Sequence, residues 1–153
     1  RYEFGPLDQA GATFFNRWNM LFESESAKYT PCPHIKVKNC EQFTSYVEAV
    51  NMAVTVPEVW NKPELQPEGV QELVSRYKTD DRPGVGMVYI AIAYDGKALK
   101  ADYYVTFFDM ATRQVLHTER VSATPGGAGL RNFWASTVIK VNEQLKGIRR
   151  KLQ

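Results

Sequence analysis

"VGMVYIAIAYDGKALKADYYVTFFDMATRQVLHTERVS" (residues 85–122) is the stretch of sequence that decides the fold. It contains three runs rich in β-branched and aromatic residues, the types enriched in strands: VGMVYIAIAY, ADYYVTFFD and QVLHTERVS. Asp95-Gly96 and the segment DMATR separate these runs with turn residues. Because consecutive strands joined by short turns pair antiparallel, the stretch predicts a three-stranded meander over roughly Val85 to Ser122.

A long amphipathic helix is predicted after the meander. Beyond the glycine-rich segment ATPGGAG, apolar residues recur at helical spacing almost to the end of the chain. These positions are Leu130, Phe133, Trp134, Thr137, Val138, Val141, Leu145 and Ile148. Charged residues lie outside this face, so we expect the helix to cover one face of the sheet.

The N-terminal half predicts further helices. Apolar spacing indicates a first helix that begins near Pro6 or Asp8, and a second from about Cys40 to Val54 with Asn39 as its N-cap. A short third helix is predicted within PEGVQELVSRYK, residues 67–78. The segment HIKVK, residues 34–38, is a candidate fourth strand.

These elements predict an α+β fold. We expect an antiparallel sheet of three to four strands with the C-terminal helix on one face and two N-terminal helices. A chain of 153 residues fits a single domain, residues 1–153. Its helical N-terminal part covers about residues 1–78, and the meander with the C-terminal helix covers about residues 85–153.

Charge and hydropathy limit the classes of partner. The net charge is +2, and part of the basic excess lies in the last eight residues, KGIRRKLQ. Such a tail complements the dipole of a C-terminal helix, and it also allows a weak anion contact. We expect no transmembrane segment, because no run of about 18 apolar residues occurs. We also expect no nucleic acid partner, because the strands carry few Lys and Arg residues and no RNP pattern.

The two cysteines are a candidate disulfide. Cys32 and Cys40 stand eight positions apart, a spacing that can close a small loop in an oxidising compartment. Two alternatives remain at this point: a pair of free thiols, or a metal site that adds His34. A closed zinc site needs four ligands, and the other histidine, His117, lies far along the chain. We therefore expect no metal.

The glycine-rich segment before the last helix is a candidate anion site. Gly127, Gly129 and Arg131 stand where backbone N–H groups of a helix N-terminus can bind phosphate. However, the third glycine of a dinucleotide fingerprint and the Gly-Lys-Ser/Thr of a P-loop are both absent. Those motifs also belong to parallel βαβ units. We therefore interpret the glycines as a tight strand-to-helix crossover, and we expect no cofactor.

Two further features of the sequence bear on function. No Ser or Cys stands in a nucleophile motif with a histidine and an acid, so the sequence indicates no catalytic residue. Phe14, Trp18 and Phe22 form an aromatic stripe on the first predicted helix. This stripe is either a candidate partner surface or part of the core.

Residues 101–145, ADYYVTFFDMATRQVLHTERVSATPGGAGLRNFWASTVIKVNEQL, resemble small bacterial envelope proteins of unknown function. The shared features are a strand, an Asp-x-x-Thr turn, a second strand, a glycine-rich crossover and a final helix. The resemblance implies export to the periplasm or cell envelope, a lipoprotein-like setting and a non-catalytic role. Its features are structural, so it assigns no functional residue.

The sequence therefore favours a non-enzymatic interaction or scaffold module, bacterial and envelope-associated, that acts through a protein partner or as a homo-oligomer. One alternative is an anion- or nucleotide-binding enzyme that uses the glycine segment, with His117 nearby. Another is a structural subunit of a phage or secretion particle, in which an exposed edge strand and the aromatic helix serve as interfaces.

Overall fold

A computed structural model describes residues 11–54 and 64–152. Its helices and strands confirm the α+β class. In chain order they are α1 (Gly11–Ser24), α2 (Ser26–Tyr29), α3 (Cys32–Ile35), α4 (Ser45–Met52), α5 (Pro67–Ser75), β1 (Val85–Asp95), β2 (Lys100–Asp109), β3 (Val115–Ala123) and α6 (Leu130–Lys151).

The predicted meander is confirmed. The three strands pair antiparallel in the order β1-β2-β3, and each turn is held by an aspartate. Asp95 Oδ1 accepts the N–H groups of Lys97 at 2.8 Å and Ala98 at 2.9 Å. Asp109 Oδ1 likewise accepts the N–H group of Thr112 at 2.9 Å. Within the described part of the chain these backbone N–H groups have no carbonyl partner, and the carboxylate at the start of each turn accepts from them instead. This is why an Asp begins both turns.

Helices α1 and α6 cover one face of the sheet, as expected for the C-terminal helix. Trp134 and Leu145 of α6 pack there against Tyr103 and Val105 of β2. A buried polar side chain fixes the helix on the sheet: Asn142, 1 % exposed, accepts a hydrogen bond from the Tyr89 hydroxyl at 2.5 Å. Its amide also donates to the Tyr29 carbonyl at 2.9 Å. Burial of so polar a group is tolerated because it is hydrogen-bonded.

The opposite face of the sheet is also covered. Val70 and Val74 of α5 are fully buried there beside Tyr104, Phe108 and Ile90 of the sheet. The central strand β2 is therefore buried on both faces, which explains why its sequence is apolar or aromatic on both sides of the pleat. The result is a three-layer arrangement with helices on each side of the sheet.

The predicted fourth strand is wrong. Residues 32–35 form the one-turn helix α3, which ends at Lys36 in the left-handed conformation with φ 57°. Cys32 and Cys40 form a disulfide that holds their Cα atoms 5.7 Å apart. An extended chain of that length would span roughly 25 Å. The disulfide thus excludes a straight strand, and within the described residues the sheet has three strands.

The helix boundaries in the N-terminal half also differ from the prediction. The second predicted helix begins at Ser45 rather than near Cys40, because the disulfide holds Cys40 in the preceding loop. Asn39 is consequently not the N-cap. The short helix within residues 67–78 is confirmed as α5. The predicted start of the first helix at Pro6 or Asp8 lies outside the described residues.

Candidate functional site

Side chains bond the outer edge of β3 near both of its ends. The N–H group of Val115 donates to Gln71 Oε1 of α5 at 2.8 Å. Near the other end of the strand, Gln144 of α6 donates from Nε2 to the Ser122 carbonyl at 2.9 Å. The ladder is further interrupted by a bulge at Leu116. Side-chain pairing and bulges both prevent another strand from adding to an edge.

The outer edge of β1 differs from that of β3. The Met110 N–H group donates to the Gly84 carbonyl at 2.9 Å, so this pair continues the β1–β2 ladder as a hydrogen-bonded pair. Bonded and non-bonded pairs alternate in an antiparallel ladder. The odd-numbered residues from Val85 to Ala91 therefore direct their backbone N–H and C=O groups away from β2. Within residues 11–54 and 64–152, no backbone or side-chain group bonds to them.

Two helices flank this edge: α1 packs on one face of the sheet, α4 packs on the other, and the two helices contact each other. Helices α5 and α6 both lie against β3, whereas the main neighbour of β1 is β2. Val85 is 65 % exposed, and most of the strand is half-buried. No charged side chain occurs between Val85 and Tyr94. The register is regular as far as Ala91, where a bulge at Ile92 interrupts it. We call residues 85–91 the open edge.

The glycine segment takes the form of a crossover. Gly127 and Gly129 have positive φ values of 98° and 80°, conformations that glycine adopts without steric cost. The N–H group of Gly126 is already bonded to Ser136 Oγ at 2.8 Å. Arg131 is exposed on the first turn of α6. The sharp reversal before α6 accounts for the glycines, and the anion site stays a prediction.

The aromatic stripe of α1 lies largely against the core. Trp18 is 4 % exposed and its ring centroid lies 5.4 Å from that of Tyr94. Phe22 is half-buried, 4.8 Å from the ring centroid of Tyr29. These two side chains therefore pack against the core, and a partner surface on this stripe stays a prediction. The side chain of Phe14 lies outside the described residues.

The disulfide between Cys32 and Cys40 settles the three alternatives for these cysteines. Because both sulfurs are bonded, neither is available with His34 as a metal ligand. Among the described residues, no group of three or more His, Cys, Asp and Glu side chains could hold a metal ion. The same part of the chain has no helix long and apolar enough to cross a membrane.

A buried carboxylate, Asp102, organises the end of β2. Its side chain is 4 % exposed and accepts hydrogen bonds from Ser122 Oγ at 2.5 Å, Arg120 at 2.8 Å and Lys100 at 3.1 Å. Arg120 also bonds both carboxylate oxygens of Glu64. Burial alone raises the pKa of Asp102, but the three donors outweigh it and hold the pKa below its usual value. We interpret this cluster as a structural connection between the sheet and the segment before α5.

His117 lies near the start of β3 in a second ionic cluster. Its Nε2 atom is 3.4 Å from a carboxylate oxygen of Glu119, which also pairs with Lys151 of α6. The hydrogen bond from Lys151 is the main cause that lowers the pKa of Glu119. No nucleophilic side chain is bonded to His117 among the described residues. The cluster connects the C-terminal end of α6 to the sheet.

The sequence predicts an exposed edge strand, but it does not indicate which strand forms that edge. Gln71 and Gln144, which bond the two ends of β3, lie 44 and 22 residues from the backbone groups that they bond. The absence of charge in residues 85–94 was visible in the sequence and is the signal that could have located the open edge at β1.

No protein-family model, no curated protein and no solved structure matches this chain.

Proposed function

We propose that this protein is a non-enzymatic interaction module that binds a protein strand along its open edge. The observation that supports this function is the run of outward backbone groups along residues 85–91. β3 carries side-chain partners and a bulge, whereas residues 85–91 of β1 have outward backbone groups that no described residue bonds. An added strand would satisfy those groups, which is the mode of recognition called β-augmentation.

We further propose that the protein works in an oxidising compartment, such as the bacterial periplasm or cell envelope. The Cys32–Cys40 disulfide supports this proposal, because such bonds persist in exported proteins and are rare in the cytosol. Peptide mapping of protein isolated from cells under thiol-blocking conditions tests it. Recovery of Cys32 and Cys40 as blocked free thiols would contradict the proposal.

The experiment for the interaction function compares two substitutions at one outward position. Met87→Pro removes an outward N–H group without removing a hydrogen bond to β2, and proline is tolerated at such edge positions. Met87→Ala removes the same side chain but keeps the N–H group. We expect proteins captured by the wild type from the producing cells to be retained by Met87→Ala and lost by Met87→Pro.

Both variants need a fold check by circular dichroism and urea unfolding before capture. A partner set that is the same for wild type and Met87→Pro would contradict binding along the open edge. A partner set lost equally with both variants would show that the Met87 side chain, and not the backbone, makes the contact. That result would also refute β-augmentation.

A further inference from the structure

We infer that the disulfide loop and the C-terminal end of α6 form one basic surface that binds an anionic phospholipid bilayer. The disulfide loop is residues 32–40, and the C-terminal end of α6 is taken as residues 144–152. The inference uses none of the backbone groups of the open edge. It therefore adds a membrane contact to the proposed function and does not depend on it.

The path of the chain around α6 brings the two segments together. Asn142 of α6 donates to the Tyr29 carbonyl at 2.9 Å, so the chain approaches the loop beside the middle of α6. Helix α3, the first part of the loop, then packs against α6. Directly after the loop, a carboxylate oxygen of Glu41 lies 3.6 Å from Arg82, shortly before β1 begins. The loop therefore leads from the middle of α6 toward the end of the sheet at which β1 starts.

Helix α6 runs toward that same end of the sheet. Near its start, the Trp134 ring centroid lies 5.1 Å from that of Tyr94, at the end of β1. Further along the helix, Asn142 bonds Tyr89, which is nearer the start of that strand. The 22 residues of α6 are about 33 Å long, so its last turns lie beside the disulfide loop.

The two segments carry six basic residues and no acidic one. The basic residues are Lys36, Lys38, Lys146, Arg149, Arg150 and Lys151. Within residues 11–54 and 64–152, Lys151 pairs with Glu119, whereas no carboxylate pairs with the other five. The acids next to the two segments, Glu41 and Glu143, are each paired with a residue outside the surface. The surface therefore keeps an uncompensated positive charge, which attracts anions.

The dipole of α6 explains only part of this charge. Basic residues in the last turn of a helix are stabilised by its dipole, which accounts for residues 149–151. The effect falls off within one turn, and Lys146 lies further from the end. Lys36 and Lys38 belong to the disulfide loop and follow a helix of only four residues. Their position next to α6 is a property of the fold, and it favours a surface for a ligand.

Two exposed apolar side chains lie among these charges. Val37 and Leu152 are each 47 % exposed. Each follows a lysine in the chain. An anionic bilayer fits both features, because its headgroups attract Lys and Arg while apolar side chains enter the boundary of the acyl chains. A single-stranded nucleic acid fits less well, because the two segments contain no Phe, Tyr or Trp on which a base could stack.

Flotation with lipid vesicles tests the surface. We expect the wild type to bind vesicles of phosphatidylcholine mixed with phosphatidylglycerol, and not vesicles of phosphatidylcholine alone. Each Lys or Arg near an anionic membrane raises the affinity about fivefold, so Lys36→Gln with Lys38→Gln should weaken binding about 25-fold. The control, Arg17→Gln with Lys97→Gln, removes the same charge from exposed residues toward the other end of β1 and should change binding less than about twofold.

A second pair of substitutions tests the helical half of the surface. Lys146→Gln with Arg150→Gln should also weaken binding about 25-fold, and about 1 M salt should abolish most wild-type binding. Circular dichroism and peptide mapping confirm that every variant is folded and keeps the Cys32–Cys40 bond. Absence of wild-type binding, equal binding to both kinds of vesicle, or equal weakening by the control pair would overturn the inference. None of these results would affect the capture experiment at Met87, which tests the proposed function separately.

Two further measurements identify the contact and its partner. With vesicles that carry a paramagnetic lipid, the amide resonances of Val37 and Arg150 should broaden, and that of Ala98 should not. Broadening of Ala98 alone would place the contact elsewhere and overturn the inference. A single-stranded oligonucleotide should not release the protein from the mixed vesicles at an equal concentration of phosphate. Release would show a general site for polyanions and would likewise overturn the inference.

Discussion

The substitution Asp102→Asn tests whether the buried ionic cluster stabilises the fold. The substitution keeps the shape of the side chain but removes the charge that Ser122, Arg120 and Lys100 share. A hydrogen bond to a charged group contributes about 1.5–3 kcal/mol. Arg120 and Lys100 are nearly half exposed and can be rehydrated, and an asparagine oxygen can still accept from one of them. We therefore expect the free energy of unfolding to fall by about 2 kcal/mol at neutral pH.

The pH dependence of this loss follows from the lowered pKa of Asp102. Burial opposes ionisation, but the three donors outweigh it, so the carboxyl group has a lower pKa in the folded than in the unfolded chain. Its contribution to stability is therefore fully present above the unfolded-state pKa of about 3.9. It is lost as the pH falls through the folded-state value. The difference between wild type and Asp102→Asn should consequently shrink below about pH 4.

Urea unfolding followed by tryptophan fluorescence measures both effects, because Trp18 and Trp134 are buried. The matched control is Glu72→Gln, which removes an exposed ion pair with Arg76 at 2.5 Å. The Arg76 and Glu72 side chains are 59 % and 75 % exposed, so we expect a loss below about 0.5 kcal/mol. Equal losses for the two substitutions, or an Asp102→Asn loss that does not shrink in acid, would refute the reasoning.

Three further substitutions test separate parts of the structure. Cys40→Ser opens a loop of about nine residues and should cost ~2.5 kcal/mol by loop entropy; an unchanged urea midpoint would contradict this. Gly86→Ala would place a Cβ atom 2.6 Å from Cζ of the buried Phe108 ring, so thermal unfolding should show a loss of ~1–3 kcal/mol. Gly126→Ala, whose Cβ meets no atom within 4 Å, is its control and should be close to neutral. Added phosphate should not raise the melting temperature of the wild type or of Arg131→Ala; a rise in the wild type alone would establish the anion site.

The parts of the fold that the sequence predicts correctly are those fixed by neighbouring residues. The meander depends on strand-forming runs and on Asp95 and Asp109, whose side chains bond amides two or three residues away. Helix α6 depends on its own apolar spacing. Such signals act within one element, so a single sequence contains them.

The errors occur where a distant bond decides the local structure. HIKVK has the composition of a strand, but the Cys32–Cys40 bond draws its flanking residues together and leaves only a helical turn. The side-chain bonds along the β3 edge likewise come from Gln71 and Gln144, which have no feature in the sequence that marks them as strand partners. Tertiary contacts of this kind override local preference.

The two edges of the sheet together limit how far an assembly can grow. An unprotected strand of seven residues invites pairing, and a sheet open on both sides would continue to add copies and form fibres. A strand bound along residues 85–91 would satisfy the outward backbone groups of β1. The other outer strand is β3, whose ends are bonded by Gln71 and Gln144. These bonds, the bulge at Leu116 and the charged residues Glu119 and Arg120 oppose the addition of a strand at β3, so addition would stop after one strand is bound at β1.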